Sequence, residues 1–185
     1  MKNKNVVIGV TGGIAVYKAL DVISRLRKNG YDTFVIMTEN AQKFVCPLSF
    51  ETLSKNPVVT DMFVDKKSWE VEHISLAQKA DLFLIVPATA NIIGKVANGI
   101  ADDMLATTIM ATEAPVVFAP AMNEKMYKNR IVQDNISKLK NYGYHFIDPA
   151  TGMLACGDIG IGKLAKVDTI VEYVKNIIEG SGQHA

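Results

Sequence analysis

The stretch "VVIGVTGGIAVYKALDVISRLRKNG", residues 6–30, contains a strand, a glycine turn and a helix in immediate succession. Its first five residues are continuously apolar, which is typical of a strand covered on both faces within a parallel sheet. Apolar residues then recur at helical spacing, and Gly30 is a suitable residue for ending the helix. The stretch therefore predicts the strand–turn–helix unit from which doubly wound α/β folds are built.

Four more apolar runs of strand length follow along the chain, and helical patterns separate them. We expect an α/β fold with a doubly wound parallel sheet, a flavodoxin-like or Rossmann-like three-layer single domain. The domain is expected to span residues 1–180, and residues 181–185 are expected to form a disordered tail. The further strands are predicted at 33–38, 82–88, 116–121 and 144–147, and the further helical patterns cover 91–112, 130–143 and 170–179.

Composition excludes several classes of protein. The net charge is +1 and the basic residues are scattered, so the chain has no electrostatic footprint for nucleic acid or an anionic membrane. The longest uncharged run, residues 82–94, is too short to span a bilayer. The two cysteines, Cys46 and Cys156, do not form a disulfide framework, and no cleavage site follows the first apolar run. We therefore expect a cytoplasmic protein, with Cys46 buried as a small apolar residue between Val45 and Pro47.

Ligands of doubly wound sheets bind beyond the carboxyl ends of the strands. The segment "TGGIA" follows the first predicted strand and opens a helix, so its glycines can bring the backbone close to a phosphate. It matches neither GxGxxG nor a P-loop, and an ordinary turn explains it equally well. Two further segments, "TEN" and "PATAN", follow the next strands. For each of these hydroxyl and amide residues alone, capping a helix is the more common role, but three such strand ends at one crevice favour a mononucleotide-sized ligand.

Residues for acid–base chemistry are few. His73 lies near the start of a helix and can accept a proton near neutral pH, although a surface or capping role is more common at such a position. Asn123, in "PAMN" after a strand, can bind a carboxylate through its amide N–H groups or cap a helix. Met126 is by itself more typical of a core. Asp102 and Asp103 are predicted to be a solvated or capping pair rather than a metal site.

Taken in order, these segments resemble the flavin-dependent cysteine decarboxylases, and the resemblance covers nearly all of residues 5–178. The most specific feature is the combination of "PAMN" with a downstream "ACGD-x-G-x-G". The segments that carry the resemblance are "TGGIAVYK" (11–18), "HI" (73–74), "PATAN" (87–91), "NGIADDML" (98–105), "PAMNEKMY" (120–127) and "LACGDIGIGK" (154–163).

The resemblance implies that FMN is the cofactor and that no metal takes part. It implies that His73 is the active-site base, that Asn123 binds substrate and takes part in catalysis, and that Met126 contacts substrate. Cys156 is implied to be a proton donor on a glycine-rich flap, which closes to exclude water. The residues implied to bind FMN are Gly12, Gly13, Ile14, Thr38, Glu39, Asn40, Thr89, Ala90, Asn91, Ile92 and Ala121.

The resemblance further implies the conversion of 4'-phosphopantothenoylcysteine to 4'-phosphopantetheine in coenzyme A synthesis. The family oxidises the thiol-bearing carbon to a thioaldehyde with flavin, releases CO₂, and then protonates and reduces the enethiol. Members assemble as trimers, sometimes grouped into dodecamers. A phosphopantothenoylcysteine synthetase is a further expected partner, since it is fused to this domain in many bacteria; this chain is expected to be a free-standing enzyme or one half of such a fusion.

Three alternatives share part of this pattern. A peptidyl-cysteine decarboxylase stops at the enethiol and does not need the cysteine of "LACGD". A flavin prenyltransferase shares the sheet but lacks His73, Asn123 and Cys156 together. A non-catalytic flavin-binding regulatory subunit would be expected to have lost catalytic residues or gained acidic tails, and this chain shows neither feature.

Overall fold

A computed structural model describes residues 3–62, 72–153, 157 and 159–181 of the chain. The strands are β1 (Asn5–Val10), β2 (Asp32–Met37), β3 (Val58–Val59), β4 (Leu82–Ala88), β5 (Val116–Pro120), β6 (His145–Phe146), β7 (Ala150–Met153) and β8 (Ile159–Lys163). The helices are α1 (Val16–Lys28), α2 (Glu39–Gln42), α3 (Pro47–Ser54), α4 (Glu72–Lys79), α5 (Ala90–Ala97), α6 (Met104–Ala111), α7 (Glu124–Tyr127), α8 (Arg130–Asn141) and α9 (Val167–Ser181).

Six of the strands form one parallel sheet in the order β3-β2-β1-β4-β5-β6. The chain winds outward from β1 in one direction, returns to β4 beside β1, and then winds outward in the other direction. This order confirms the predicted doubly wound fold, and each of the five predicted strands is present within two residues of its expected bounds. The crevice of such a sheet lies at the carboxyl ends of β1 and β4.

Apolar side chains cover both faces of the sheet, which explains why the strands read as continuous apolar runs. Val6 and Ile8 of β1 pack on one face with residues of α1, α3 and α9. Val7 packs on the opposite face with residues of α5, α6 and α8. Every residue of β4 is buried. The core therefore holds the ends of β1 and β4 in fixed positions beside each other.

The helical pattern over 91–112 is two helices, α5 and α6, rather than one. Gly99 has a φ of 68°, a left-handed conformation that a helix interior does not accommodate. The side chain of Asp103 caps the start of α6. The Nζ atom of Lys95 lies 2.5 Å from a carboxylate oxygen of Asp102 and 2.8 Å from one of Asp103. Asp103 thus caps α6 and Asp102 is exposed to solvent, so the prediction of a solvated or capping pair is confirmed.

The prediction that Cys46 is buried is wrong, because its side chain is exposed. Pro47 opens α3, and Cys46 is the extended residue before it. The neighbouring Phe44 and Leu48 are also more than half exposed, at 51% and 65%. This segment therefore forms a turn on the surface between α2 and α3 instead of entering the core.

Two small hairpin strands, β7 and β8, pair antiparallel outside the main sheet, and no strand was predicted there. The last helix, α9, ends at Ser181, so Ser181 is helical and does not belong to the predicted tail. Residues 182–185 lie outside the described part of the chain.

Among the helices of the described residues, none combines the length and the apolar character needed to cross a lipid bilayer.

Candidate functional site

Four loops follow β1, β2, β4 and β5 at the carboxyl edge of the sheet. All the residues predicted to bind a cofactor belong to these loops or to the first turns of the helices that follow them. The structure therefore brings together, along the carboxyl edge of β2, β1, β4 and β5, segments that are separated by up to about a hundred residues in sequence.

A buried hydroxyl group joins two of these loops. Thr11 donates a hydrogen bond of 2.7 Å to the carbonyl oxygen of Pro87 and accepts one of 3.2 Å from the backbone N–H of Thr89. The Thr11 residue is only 2% exposed. Thr11 was not among the residues predicted from the sequence, although a single hydroxyl side chain at the end of an otherwise apolar strand was a signal that could have identified it.

The two glycines of the first turn have different surroundings. A Cβ atom added at Gly12 would lie 2.5 Å from Cβ of Asn40 and 2.9 Å from its carbonyl oxygen. The loops after β1 and β2 are therefore in direct contact, and only glycine permits this approach. A Cβ at Gly13 would meet just the Thr89 methyl group, at an ordinary 3.7 Å. The fold thus requires glycine at position 12, whereas at position 13 the backbone is open to a ligand.

Side chains cap the helices that follow β2 and β4. The hydroxyl of Thr38 accepts a hydrogen bond from Ala41 N–H, and that of Thr89 accepts one from Ile92 N–H. The capping interpretation of both threonines is confirmed. Ala15 at the start of α1 provides no such cap. In this first turn Val16 N–H donates to the carbonyl of Gly13 and Lys18 N–H to that of Ala15. A phosphate bound at the start of α1 would therefore use the remaining N–H groups, next to the open backbone of Gly13.

The remaining loop residues are more exposed. Ile14 is 62% exposed, and Glu39, Asn40 and Asn91 are exposed as well. The side-chain oxygen of Asn40 accepts a hydrogen bond of 3.0 Å from Lys43. Apolar, carboxylate and amide side chains thus border the edge of the site.

Asn123 lies directly after β5 and is partly buried. Its side-chain oxygen accepts a hydrogen bond of 2.8 Å from the backbone N–H of Lys125, which caps α7 as predicted. On the side towards β4, Ala121 N–H donates a hydrogen bond of 3.0 Å to the carbonyl of Ala88. The loop that carries Asn123 therefore extends the pairing of β5 with β4 at the same edge of the sheet.

The hairpin packs on this loop through two glycines of β8. Met122 N–H donates a hydrogen bond of 2.9 Å to the carbonyl of Gly162. A Cβ at Gly162 would collide with the Met122 carbonyl, and a Cβ at Gly160 would collide with the Glu124 carboxylate. The resemblance implied that the glycines of this segment belong to a flap, but these two permit close packing of β8. Cys156 lies outside the described residues.

His73 is the second residue of α4 and is partly buried. The opposite end of α4 leads to Asp81, whose N–H donates a hydrogen bond to Asn5 at the start of β1. The helix therefore runs antiparallel to the strands, and its first turn is directed towards the carboxyl edge of the sheet. This direction places His73 on the same side of the molecule as the loops described above.

Met122 and Met126 differ in their surroundings. Met122 packs against the core cluster on one face of the sheet, whereas Met126 is 49% exposed on α7. The core interpretation of Met126 is therefore wrong, and its predicted contact with substrate stays a prediction. Within the described residues, no group of three or more His, Cys, Asp or Glu side chains lies close enough together to hold a metal ion.

Comparison with known proteins gives matches along nearly the whole chain. A family profile described as "Flavoprotein" matches residues 1–179. The chain is 50% identical over 175 residues to the coenzyme A biosynthesis bifunctional protein CoaBC of Borreliella burgdorferi, covering 95% of this chain and 45% of that protein. The corresponding Bacillus subtilis protein is 51% identical over 175 residues, with 43% of it covered. The chain thus spans less than half the length of these two relatives.

A third relative has nearly the same length as this chain. The probable phosphopantothenoylcysteine decarboxylase of Streptococcus mutans is 45% identical over 174 residues, which cover 93% of this chain and 97% of that protein. Among solved structures, the FMN-dependent cysteine decarboxylase SpaF has a TM-score of 0.84 at 29% identity, with 97% of each chain covered. A cysteine-to-serine mutant of PPC decarboxylase, complexed with pantothenoylaminoethenethiol, has a TM-score of 0.85 at 27% identity, covering 96% of this chain and 100% of that one.

Proposed function

The chain belongs to the flavoprotein family, and we propose that it is an FMN-dependent decarboxylase that converts 4'-phosphopantothenoylcysteine to 4'-phosphopantetheine in coenzyme A biosynthesis. The name of the Streptococcus mutans relative and the names of the bifunctional relatives support this reaction and this pathway. The structural observation that carries the proposal is the position of Asn123 on a loop fixed beside β4, at the edge where Gly13 leaves the backbone open.

We propose that the phosphate of FMN binds at the first turn of α1, beside Gly12, Gly13 and Ile14. The uncapped start of α1 and the open backbone at Gly13 fit a phosphate group. The remaining contacts are assigned to Thr38, Glu39 and Asn40, to Thr89, Ala90, Asn91 and Ile92, and to Ala121. FMN is favoured over a dinucleotide because the chain lacks the GxGxxG fingerprint, and because a structural neighbour is named as FMN-dependent.

When bound, FMN supplies the two-electron oxidation that makes loss of CO₂ feasible, and the later return of those electrons. In our proposal His73 accepts a proton from the substrate, and the amide N–H groups of Asn123 bind its carboxylate. The side-chain oxygen of Asn123 still accepts its hydrogen bond from Lys125 N–H, and this bond fixes the direction of the amide plane. The thiol of Cys156 then donates the proton that completes the product. Met126 is proposed to contact the remainder of the substrate.

We further propose that the chain functions as a homo-oligomer, either a trimer or a dodecamer built from trimers. Exposed apolar residues on adjacent elements support this, namely Ile14 and Tyr17 near the start of α1 and Phe44 and Leu48 near α3. In the proposal, a second copy of the same chain packs against these exposed residues. A light-scattering mass of one chain, measured with flavin bound, would contradict it.

The proposal also covers a partner protein and the location in the cell. Association with a phosphopantothenoylcysteine synthetase is proposed because the relatives that carry two activities extend well beyond the matched segment. A reducing, cytoplasmic setting is proposed because a proton-donating thiol must remain unoxidised.

The test is a pair of measurements on the purified protein. Heat-released cofactor is identified by mass, and turnover is measured with 4'-phosphopantothenoylcysteine and with a peptide that ends in cysteine. We expect FMN, release of CO₂ and formation of 4'-phosphopantetheine, with little reaction of the peptide. Release of FAD would overturn the cofactor assignment. A product that remains an enethiol, or a preference for the peptide, would overturn the reaction.

A further inference from the structure

The two sequence neighbours of Asn123, Met122 and Glu124, both contact β8. On one side, Met122 N–H donates its hydrogen bond to Gly162. On the other side, the carboxylate of Glu124 lies against the Cα atom of Gly160, at the place where any larger residue would carry its side chain. The position of β8 relative to Asn123 is therefore set from both sides of Asn123.

The Glu124 carboxylate has further partners. One of its oxygens lies 2.7 Å from the Nζ atom of Lys128, and the carboxylate also accepts a hydrogen bond from the backbone N–H of Ile161. The hydrogen bond from Lys128 is the main reason why the pKa of Glu124 lies below its ordinary value of 4.5. Glu124 is thus an ionised hydrogen-bond acceptor for a strand that is separated from it by more than thirty residues of sequence.

We propose that Glu124 is a positioning residue for substrate binding: its carboxylate, seated over Gly160 and bonded to Ile161 N–H, fixes β8 against the loop that carries Asn123. The proposal rests on the proposed function, since Asn123 binds the substrate carboxylate there. Glu124 itself touches neither substrate nor cofactor in this assignment. Its effect is to hold the Asn123 amide where the substrate carboxylate meets it.

The geometry separates the acceptor role of Glu124 from its ion pair with Lys128. Glu124→Gln keeps the length of the side chain and one oxygen that accepts from Ile161 N–H, but it removes the charge. Lys128→Met removes only the ion pair. Glu124→Ala removes both interactions. Gly160→Ala leaves Glu124 unchanged in sequence but places a methyl group where the carboxylate now lies, so the carboxylate must move away from Ile161.

We expect Glu124→Ala to raise KM for 4'-phosphopantothenoylcysteine by about tenfold, the scale expected for loss of one hydrogen bond to a charged group, while kcat changes much less. Gly160→Ala should give a similar increase in KM. The double variant should be no worse than either single variant, because both changes remove the same contact. Glu124→Gln and Lys128→Met should remain close to the parent protein, and all variants should retain FMN.

A second measurement does not depend on turnover. In the FMN-loaded protein without substrate, hydrogen exchange of β8 amides should be faster in Glu124→Ala and Gly160→Ala, and unchanged in Glu124→Gln. Exchange of β4, which is buried in the sheet, should be the same in all variants. If the parent protein shows no decarboxylation, the proposed function fails while the exchange data still test the role of Glu124.

Three outcomes would overturn the inference. Normal KM and normal β8 exchange in Glu124→Ala would remove Glu124 from any positioning role. Equal damage in Glu124→Gln would show that charge rather than the contact with β8 matters. Loss of FMN together with faster exchange throughout the sheet would indicate a general loss of stability.

Discussion

The hydroxyl oxygen of Thr11 lies 2.7 Å from the carbonyl oxygen of Pro87, so a buried hydrogen bond joins the loop after β1 to the carboxyl end of strand β4. The same hydroxyl accepts a hydrogen bond from Thr89 N–H. The two loops that border the topological switch point are therefore tied together by one side chain, and the distance between them does not depend on a ligand.

Replacing Thr11 tests this connection. Thr11→Val leaves the Pro87 carbonyl and the Thr89 N–H without this partner, and a buried group in that state costs about 1–3 kcal/mol. We expect the free energy of unfolding to fall by about 2 kcal/mol in urea titrations and FMN affinity to fall with it. Thr11→Ser keeps the hydroxyl and should lose less. Equal stability of the valine and serine variants would contradict the connection.

The two glycines of the first turn should respond differently to substitution by alanine. Gly12→Ala places a methyl group against Asn40, so we expect lower thermal stability with and without FMN. Gly13→Ala meets no close protein atom and should leave the Tm of the apoprotein nearly unchanged. It should nevertheless raise the Kd for FMN, because the methyl group occupies space assigned to the phosphate. Normal FMN affinity in Gly13→Ala would place the phosphate elsewhere.

His73 and Asn123 should affect substrate and not cofactor. We expect His73→Asn and Asn123→Asp to retain FMN and to lose decarboxylation. Asn123→Asp should be the harsher change, since it sets a carboxylate against the carboxylate of the substrate. Aspartate caps helices as well as asparagine does, so α7 should remain formed and the loss should reflect substrate binding. Near-normal turnover of either variant would remove that residue from the mechanism.

Cys156→Ser should separate the late proton transfer from the earlier steps. Serine is a far weaker acid than cysteine, so we expect oxidation and loss of CO₂ to proceed and the reaction to stop at the enethiol. Under anaerobic conditions, flavin absorbance should fall once, with about one CO₂ released per site, as expected of a blocked half-reaction. Formation of 4'-phosphopantetheine at the normal rate would refute the assignment.

Acid should weaken the pairing of Glu124 with Lys128 without loosening β8. The hydrogen bond from Lys128 lowers the pKa of Glu124 below 4.5, against the opposing effect of burial. The stabilising contribution of the ion pair is therefore complete above pH 4.5 and is lost as the pH falls through the lower, folded-state pKa. A protonated carboxyl group keeps an acceptor oxygen, as the amide of Glu124→Gln does, so we expect the ratio of β8 exchange rates between the parent protein and Glu124→Gln to stay constant below this pH. A ratio that rises in acid would show that the charge, rather than the contact with β8, holds the strand.

Local patterns in the sequence predicted the parts of the structure that local patterns determine. The buried strands β1 and β4 were predicted because both of their faces are apolar. The caps formed by Thr38, Thr89 and Asn123 were predicted because each residue lies one position before a helix. The position of the candidate site followed from the same strands, since their carboxyl ends define the crevice.

Contacts between distant segments were not predictable in this way. The approach of Gly12 to Asn40 and of Gly160 to Glu124 depends on how the loops meet in three dimensions, and glycine in sequence is equally consistent with a flexible turn. The exposure of Cys46 was missed for a related reason. Apolar neighbours indicate burial only when the segment enters the core, and this one turns outward before α3.

The edges of the main sheet bear on how copies of the chain can meet. The outermost strands, β3 and β6, have two residues each. Edge strands this short present few unpaired backbone groups to another chain, which limits the strand-to-strand growth that leads to aggregation. A specific contact between copies is consequently expected to use side chains on the helical layers, rather than continuation of the sheet from one molecule into the next.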